Sequence, residues 1–397
     1  MERIGIYGGT FNPPHIGHIR AAESAVEKLR LDKLLVIPSC ISPHKPLPEG
    51  SASATQRLEM LQIALNDKPK ITVSDLEISR GSVSYTYETV AQIAQQFPYA
   101  ERILIMGTDM FFSFETWKYP DQILKNTSLA VLYRSCSDKM AVLEEKKKQL
   151  EQSGANIYFV ENPVTEISST DVRRMLAFDC ADAFLPEGVG AYIRVNGLYG
   201  TNQRLYGLSM EQLEQKVISL LNPNRVVHVL GCRQTAKELA QRYGANIVDA
   251  QRAALLHDIT KAIDGPLQLT LCREYGIKLD EFSAHNPKTL HALTGSLVAQ
   301  KVFGEKPEVV AAIASHTTGK AAMNTLEKIV YVADYMEPNR KFPGVDRLRL
   351  LAFEDLDGAL RMGLEMTLSM LKEQGRDISP ESAQALQYFN EKEKKGK

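Results

Sequence analysis

The chain has few of the features that would direct it to a membrane, to nucleic acid or to an oxidising compartment. No apolar run approaches the roughly 20 residues that span a bilayer, and the N-terminus enters strand-like sequence without a signal-peptide pattern. The formal net charge is −1, which provides no general attraction to polyanions. We therefore expect a cytoplasmic protein that binds neither membrane nor nucleic acid, with small charged molecules as its ligands. The cysteines are scattered, odd in number and without CxxC spacing, as is typical of reduced thiols: Cys40, Cys136, Cys180, Cys232 and Cys272.

At 397 residues the chain is too long for one ordinary hydrophobic core, so two domains are expected. Strand-like and helix-like runs alternate up to about Asn196, which predicts an α/β domain with a doubly wound parallel sheet. The predicted strands are Ile4–Tyr7, Leu34–Pro38, Ile71–Ser74, Arg102–Met106, Leu129–Tyr133 and Ile157–Val160, and the helices between them include Ala54–Asn66, Thr86–Gln96 and Lys139–Gln152.

The pattern changes at a turn-rich passage from Asn196 to Asn202. Beyond Ser209 almost every segment has helical periodicity, which predicts an all-α domain. We expect domains at about 1–200 and 205–390. The predicted helices of the second domain are Met210–Leu221, Arg225–Tyr243, Asp249–His257, Leu290–Phe303, Pro307–Ser315, Leu326–Met336 and Asp355–Glu373, and the charged tail from Glu391 is expected to fray.

The segment Gly8–His18 connects the first predicted strand to the first helix, the place where α/β sheets bind nucleotides. Gly8 and Gly9 allow backbone amides to approach phosphate oxygens closely, and the helix that opens near Gly17 directs its positive end to the same point. His15 and His18 can then face one bound triphosphate. A tight turn with incidental histidines would not account for the stiffening Pro13–Pro14 pair.

A second segment, Ile167–Arg173, also opens a helix. Ser169 or Thr170 can cap that helix, and the free amides, the hydroxyls and Arg173 together can cradle a phosphate. The two segments thus predict one nucleotide phosphate site.

These segments, GGTFNPPHIGH and ISSTDVR, resemble the HxGH and ISSTxxR motifs of the nucleotidyltransferase superfamily. Further passages resemble nicotinate-nucleotide adenylyltransferases over roughly Met1 to Gly200: Pro43–Pro46, Ser84–Thr86, Met106–Met110 and Trp117. Pantetheine-phosphate adenylyltransferase, the alternative within the superfamily, is a shorter chain without the Trp117 passage.

The resemblance implies transfer of AMP from ATP to nicotinate mononucleotide, with release of pyrophosphate and with Mg²⁺ sharing the phosphate charge. His15 and His18 would donate to the α-phosphate oxygens, while Ser169, Thr170 and Arg173 would hold the β and γ groups. The residues implied for ATP are Gly8, Gly9, Thr10, Phe11, His15, His18, Gly107, Asp109, Ser168, Ser169, Thr170 and Arg173, and those for the mononucleotide are His44, Lys45, Thr86, Trp117 and Arg134. Trp117 offers a flat face to the pyridine ring, although it could equally anchor the core.

The helical half contains a series of metal-ligand residue types: His228, His257, Asp258, His291, His316 and Asp334. Each lies in or beside an apolar helical stretch, and burying them together without a partner would be costly. A metal centre removes that cost, because imidazole and carboxylate suit Mn, Fe, Zn or Mg.

The order H…HD…H…H…D resembles the HD-domain metal phosphohydrolases. The passages His316–Gly319, Tyr331–Arg340 and Phe342–Asp346 resemble the YqeK-type bacterial HD family from about Leu205 to Leu371. That resemblance implies symmetrical hydrolysis of diadenosine tetraphosphate to two ADP by two metal ions, with iron the expected element.

The same resemblance implies roles for individual residues. Asp258 would bridge the two ions, while His228, His257 and Asp334 hold one ion and His291 and His316 hold the other. Lys261 and Arg340 are candidate phosphate contacts, and His285 is expected outside the ligand set. Together with His15, His18 and Arg173 of the first half, Asp258 and Lys261 are the predicted catalytic residues. An HD phosphohydrolase of other nucleotide specificity and a non-catalytic metal-binding regulatory module remain alternatives, and a homo-oligomer remains open.

Overall fold

A computed structural model of the chain describes residues 1–43, 46–133, 137–162 and 167–396. Two compact units divide the chain, Met1–Gln203 and Arg204–Lys397. The first unit is an α/β sandwich and the second is entirely helical in its described residues. The fold class predicted from the sequence is therefore confirmed. None of the described helices combines the length and apolar character that crossing a membrane requires.

Six parallel strands form the sheet of the first unit: β1 (Arg3–Gly9), β2 (Lys33–Pro38), β3 (Ile71–Val73), β4 (Glu101–Gly107), β5 (Ser128–Tyr133) and β6 (Ile157–Glu161). Near-continuous apolar runs make the central strands compatible with burial on both faces, as a sheet covered by helices on each side requires. The covering helices are α1 (Ile16–Lys28), α2 (Ala54–Leu65), α3 (Leu76–Arg80), α4 (Thr86–Gln96), α5 (Thr108–Phe112), α6 (Pro120–Asn126), α7 (Ser137–Gln152), α8 (Ser169–Ala177) and α9 (Val189–Val195).

The strand order is β3-β2-β1-β4-β5-β6, so the direction of winding reverses between β1 and β4. These two strands pair in parallel from Arg3 opposite Glu101 to Tyr7 opposite Ile105. Their carboxyl ends, Gly9 and Gly107, consequently lie side by side. A crevice forms at such a switch point because the following helices leave on opposite faces of the sheet.

The second unit contains eleven helices in its described residues: α10 (Met210–Leu220), α11 (Pro223–Tyr243), α12 (Ile247–Leu256), α13 (Gly265–Glu274), α14 (Glu281–His285), α15 (His291–Lys301), α16 (Pro307–Ser315), α17 (Thr325–Met336), α18 (Val345–Glu354), α19 (Leu356–Glu373) and α20 (Pro380–Gly396). Its core packs apolar faces of α11, α12, α17 and α19 around fully buried residues such as Leu239, Val332 and Leu360. Four buried histidines lie on α11 and α15 or at the ends of α12 and α16, which concentrates polar groups inside an otherwise apolar bundle.

The sequence-based helix prediction was incomplete in the second unit. It omitted α13, although Asp264 caps this helix by accepting from the Leu267 N–H at 3.0 Å and Pro266 occupies its first turn. It also omitted α18, and the charged tail expected to fray belongs to α20.

Candidate active sites

The loop after β1 opens into the crevice at the sheet switch point. An added Cβ at Gly8 or at Gly107 would meet no atom within 4 Å, so free space lies above the ends of both strands. At Gly9 an added Cβ would lie 2.9 Å from the Phe11 ring, which folds back over the strand end. Phe11 also packs edge-on against His18, with ring centroids 5.0 Å apart. The glycines thus keep the crevice open and allow the loop to close tightly on itself.

His15 and His18 lie at the first turn of α1, with His15 at the N-cap in extended conformation. Their ring centroids are 3.7 Å apart, and His18 Nδ1 accepts a hydrogen bond from the His15 backbone N–H at 3.2 Å. An accepting Nδ1 leaves the proton of the neutral ring on Nε2, where it can be donated. Gly17 makes this arrangement possible, because a Cβ there would lie 3.0 Å from His15 Nδ1.

Burial keeps both imidazoles neutral near pH 7. It lowers the pKa of His15 to about 4, and burial together with the neighbouring His15 lowers the pKa of His18 well below its usual range. The two rings can therefore act as hydrogen-bond donors to phosphate oxygens rather than as fixed cations.

Helix α8 starts against the same loop, and two of its side chains donate hydrogen bonds to carbonyls of the loop. Ser169 Oγ donates to the Pro13 carbonyl at 3.0 Å, and Arg173 Nη1 donates to the Asn12 carbonyl at 2.6 Å.

Ser168 is the N-cap of α8, with Oγ accepting from the Asp171 N–H at 3.2 Å. The hydroxyls that the sequence suggested for phosphate thus make contacts within the protein, and Thr170 Oγ1 accepts from Arg173 Nη2 at 3.1 Å. What remains for an anion is the unbonded backbone N–H groups of the first turn and the guanidinium of Arg173.

Arg57, on α2, is a further component of this site that sequence reasoning missed. It is only 1 % exposed and donates to the carbonyls of Thr10 and Ser39, each at 2.6 Å. Its guanidinium thus joins the loop after β1 to the end of β2. An arginine within a helix carries no local sequence signal for this role, because the contact depends on tertiary packing.

The passages around Thr86 and Trp117 are adjacent in space. The Lys118 ammonium lies 4.0 Å from the Tyr85 ring centroid, and the rings of Tyr87 and Tyr119 meet edge to face at 4.9 Å. Trp117 is partly buried and packs on Phe114 at 5.5 Å, so it also contributes to the core. Thr86 begins α4, and Asp109 lies exposed in the first turn of α5, after Gly107. His44, Lys45 and Arg134 lie outside the described residues.

The second unit brings all six predicted metal-ligand side chains together around Asp258. Its Oδ1 lies 3.4 Å from His291 Nε2 and 3.7 Å from His316 Nε2. Its Oδ2 lies 3.5 Å from His257 Nε2 and 3.7 Å from His228 Nε2. On the latter side Asp334 Oδ1 is 3.1 Å from His228 Nε2 and 3.7 Å from His257 Nε2. One carboxylate therefore faces two pairs of imidazoles, one pair with each oxygen.

Each histidine of this cluster has its Nδ1 held by an acceptor. His257, His291 and His316 donate from Nδ1 to the carbonyls of Ala254, Lys288 and Ile313 at 2.7, 2.8 and 2.7 Å. His228 Nδ1 lies 3.1 Å from Glu337 Oε1. Because the proton is fixed on Nδ1, every Nε2 lone pair points inward, which is how imidazole ligands of a metal are oriented.

Burial sets the charge state of this cluster. Burial lowers the pKa of His257 and His291 well below the usual range and that of His316 to about 4, so these rings are neutral and able to ligate. Burial alone would raise the pKa of Asp334, but its hydrogen bond with His228 and the positive charge of Arg340 outweigh the effect of burial and hold the pKa well below its usual range. Four imidazoles and two carboxylates are a donor set that fits one or two divalent transition-metal ions.

Three cations surround the cluster and line a cavity of about 680 Å³ that opens onto it. Arg340 Nη2 donates to Asp334 Oδ1 at 2.6 Å, and Lys261 Nζ is 3.0 Å from His291 Nε2. Burial lowers the pKa of Lys261 to about 8, which leaves it largely charged at pH 7. Arg225, which sequence reasoning missed, contacts Asp258. The sequence did carry a signal for this contact, because Arg225 lies three residues before His228 and therefore on the same face of the helix.

The far wall of this cavity is apolar and aromatic. Tyr331, Tyr335, Phe342, Met366 and Met370 contribute to it, with Tyr335 and Phe342 packed edge to face at 5.2 Å. Thr317, beside the metal-ligand set, lies 3.1 Å from the Nε2 atoms of His291 and His316. The exposed His285 ends α14 and bonds through Nδ1 to the Glu281 carbonyl, without a described contact to the cluster.

Two family models match the chain, one in each unit. Residues 6–175 match the cytidylyltransferase-like family, and residues 225–339 match the HD domain. A probable nicotinate-nucleotide adenylyltransferase of Borreliella afzelii is 35% identical over 198 residues, which are 50% of this chain and 96% of the relative. One from Syntrophotalea carbinolica is 36% identical over 217 residues, covering 51% of this chain and 99% of the relative.

For the second half, similarity extends to a crystal structure of a predicted HD superfamily hydrolase involved in NAD metabolism from Clostridium acetobutylicum. That protein is 35% identical, with a TM-score of 0.46 and coverage of 47% of this chain and 98% of its own. Over its first half, the chain belongs to the nicotinate-nucleotide adenylyltransferase family, and an HD domain follows.

Proposed function

We propose that the first unit transfers AMP from ATP to nicotinate mononucleotide, forming deamido-NAD and pyrophosphate. Two observations support the proposal. The first unit is 35% identical to a probable nicotinate-nucleotide adenylyltransferase and covers 96% of that relative's length. In the same unit, His15 and His18 lie at the helix start beside the sheet crevice. The substrate phosphate attacks the α-phosphorus of ATP in line, and the bond to the pyrophosphate oxygen breaks. No covalent nucleophile is needed, so positioning and charge stabilisation supply the catalysis.

The chain's own groups divide this work. The Nε2–H groups of His15 and His18 donate to the non-bridging α-phosphate oxygens, where negative charge grows. The first turn of α8 and Arg173 hold the β and γ phosphates that leave as pyrophosphate. Mg²⁺ arriving with ATP neutralises part of the triphosphate charge. His44, Lys45, Thr86, Trp117 and Arg134 remain the residues proposed for the mononucleotide.

A direct assay tests this activity. The full chain, given ATP, Mg²⁺ and nicotinate mononucleotide, should release pyrophosphate and form deamido-NAD, with nicotinamide mononucleotide a poorer acceptor. A chain that releases no pyrophosphate with either mononucleotide refutes the proposal, and an equal rate with both refutes the nicotinate preference.

We propose that the second unit cleaves dinucleoside tetraphosphates symmetrically, with diadenosine tetraphosphate giving two ADP. The supporting observation is the position of Asp258, with one oxygen toward each histidine pair and with three cations beside it. Two divalent ions held there would polarise a phosphoryl oxygen and activate water for attack on phosphorus. Iron is the element that the resemblance to the YqeK-type family implies, and imidazole ligands are compatible with it.

The protein's own side chains bind the substrate around that centre. Arg225, Lys261 and Arg340 can neutralise the phosphates that flank the cleaved bond, a role for which guanidinium groups are well shaped. The aromatic wall of Tyr331, Tyr335 and Phe342 can receive a nucleobase. A tetraphosphate chain carries more negative charge than one cation could offset, which is consistent with three cations in one cavity.

The decisive experiment compares substrates on metal-loaded full chain. Diadenosine tetraphosphate should yield ADP as the single product, detected by chromatography. Formation of AMP and ATP would refute symmetrical cleavage, and turnover only of another nucleotide would favour a different HD specificity. Bound metal with no turnover of any nucleotide would favour a regulatory module.

A further inference from the structure

A buried carboxylate, Glu337, lies behind the candidate metal centre without belonging to the ligand set. It is 1 % exposed and ends α17, three residues after Asp334. Its Oε1 is 3.1 Å from His228 Nδ1, the ring nitrogen that faces away from Asp258. Because the carboxylate can only accept, the His228 proton is held on Nδ1 and the Nε2 lone pair is turned toward the centre.

His228 needs such a partner because of its place in the fold. His257 and His316 are C-caps, and they bond to carbonyls in the last turns of α12 and α16, where helix geometry leaves acceptors unused. His291 begins α15 and bonds to a carbonyl of the preceding turn. His228 lies inside α11, whose neighbouring carbonyls are engaged in the helical ladder. Its Nδ1 has the Glu337 carboxylate of another element at 3.1 Å and, at 3.8 Å, the Sγ of Cys232 one turn along α11, which is a much weaker acceptor.

Two residues keep Glu337 in position. Its Oε2 accepts from the backbone N–H and from Nδ2 of Asn339, each at 2.8 Å. Gly231 provides the space for this same oxygen, since an added Cβ there would contact Glu337 Oε2 and lie 3.2 Å from Asn339 Nδ2. Glycine is less favourable than alanine inside a helix, so its presence at this position fits a steric requirement.

We propose that Glu337 is a positioning residue for the metal ion beside His228 and Asp334, and that Gly231 and Asn339 keep it in place. The inference rests on the proposed metal centre of the second unit. The carboxylate selects the ligating tautomer of His228 and makes Nε2 a stronger donor. Among the described residues, no carboxylate holds Nδ1 of His291 or His316 in this way. Loss of the Glu337 carboxylate should therefore weaken the ion beside His228 more than the ion beside His291 and His316.

Glu337→Gln tests this role, because the amide alters the hydrogen bonding with little change in volume. In this variant, the two N–H donors of Asn339 favour the oxygen of the new side-chain amide on their side. The NH₂ of that amide is then turned toward His228 Nδ1. His228 must then accept through Nδ1 and carry its proton on Nε2, the atom that should bind metal. Losing such a partner typically weakens metal binding by about 10- to 100-fold.

The experiment is a Mn²⁺ titration of metal-stripped full chain, followed by the electron paramagnetic resonance of the free ion. Wild type should bind two ions, and in Glu337→Gln one dissociation constant should rise by about 10- to 100-fold while the other stays within about 3-fold. Asn339→Ala, which keeps Glu337 but removes one anchor, should weaken the same ion by a smaller factor.

Glu327→Gln is the matched control. Glu327 is a second buried carboxylate of α17, but it contacts Asn324 and Lys320 rather than a histidine, and glutamine also serves at its capping position. We expect it to bind both ions as wild type does. Thermal unfolding in chelator should be the same for Glu337→Gln and wild type, which separates metal positioning from folding.

The outcomes are distinct. A wild-type chain that binds no Mn²⁺ refutes the metal centre itself, and this role with it. Two ions bound equally well by wild type and Glu337→Gln refute only the role of Glu337. Equal weakening of both ions, or weakening by Glu327→Gln as well, shows a general structural effect and also overturns the proposal.

Discussion

Replacing His15 by glutamine should remove a defined part of the acid sensitivity of the first unit. Burial lowers the pKa of His15 from 6.5 to about 4, and the residue is 5 % exposed. Between these pH values the unfolded chain binds a proton that the folded chain excludes, so stability falls as the pH falls. The whole difference corresponds to about 3 kcal/mol, of which about 2 kcal/mol is lost between pH 7 and pH 5.

The assay is urea unfolding of the full chain, followed by tryptophan fluorescence. Trp117 is the single tryptophan of the sequence and lies in the first unit, so its emission reports that unit alone. Wild type should lose about 2 kcal/mol more than His15→Gln on moving from pH 7 to pH 5. His285→Gln, which removes an exposed histidine of the other unit, serves as the control and should follow wild type.

The reasoning would be refuted if the difference in unfolding free energy between wild type and His15→Gln were the same at pH 7 and pH 5. It would mean that His15 takes up a proton in the folded chain as readily as in the unfolded one. The neutral-donor role assigned to it in adenylyl transfer would then need a different electrostatic basis.

Four further substitutions address the two sites. His18→Ala should lower adenylyl transfer by about 10²- to 10³-fold with folding intact, because one preorganised donor is lost; a near-normal rate of pyrophosphate release would contradict the assignment. Gly17→Ala should also impair transfer, since its Cβ would lie 3.0 Å from His15 Nδ1; kinetics equal to wild type would show that the His15 ring position is unimportant. His257→Ala should abolish ADP formation from diadenosine tetraphosphate and leave adenylyl transfer unchanged, and a fall in both rates would instead indicate coupled sites. Arg225→Gln should raise the KM for diadenosine tetraphosphate while both Mn²⁺ ions remain bound, and a loss of bound metal would assign Arg225 to the metal centre instead.

Much of the fold was predictable because its signals are local. Apolar runs such as Leu34–Pro38 and Leu129–Tyr133, separated by helical segments, are sufficient to indicate a parallel sheet, and strands form at both places. The prediction missed α13 and α18, although at ten residues each they are no shorter than α12 and α16, which it found. For α13 the sequence carried a local signal, because Asp264 is a favourable N-cap and Pro266 suits the first turn.

The candidate sites were predictable only as residue types. Gly8–His18 and Ile167–Arg173 indicated one phosphate site, and the structure places Ser169 and Arg173 on the carbonyls of Pro13 and Asn12. Sequence could not reveal that the Ser169 hydroxyl donates to the Pro13 carbonyl, because that bond joins residues 156 positions apart.

The amino-acid sequence is enough to predict the two-part organisation, a candidate nucleotide-binding loop at the end of the first strand, and six candidate metal ligands. Those features reside in hydrophobic periodicity and in side-chain chemistry, which a linear pattern carries. Tertiary packing alone turns one oxygen of Asp258 toward each histidine pair, brings Arg57 and Arg225 beside the two candidate sites, and places Glu337 Oε1 at 3.1 Å from His228 Nδ1. Each of these depends on the direction of side chains from elements far apart in the chain, and that direction is set when the elements pack together.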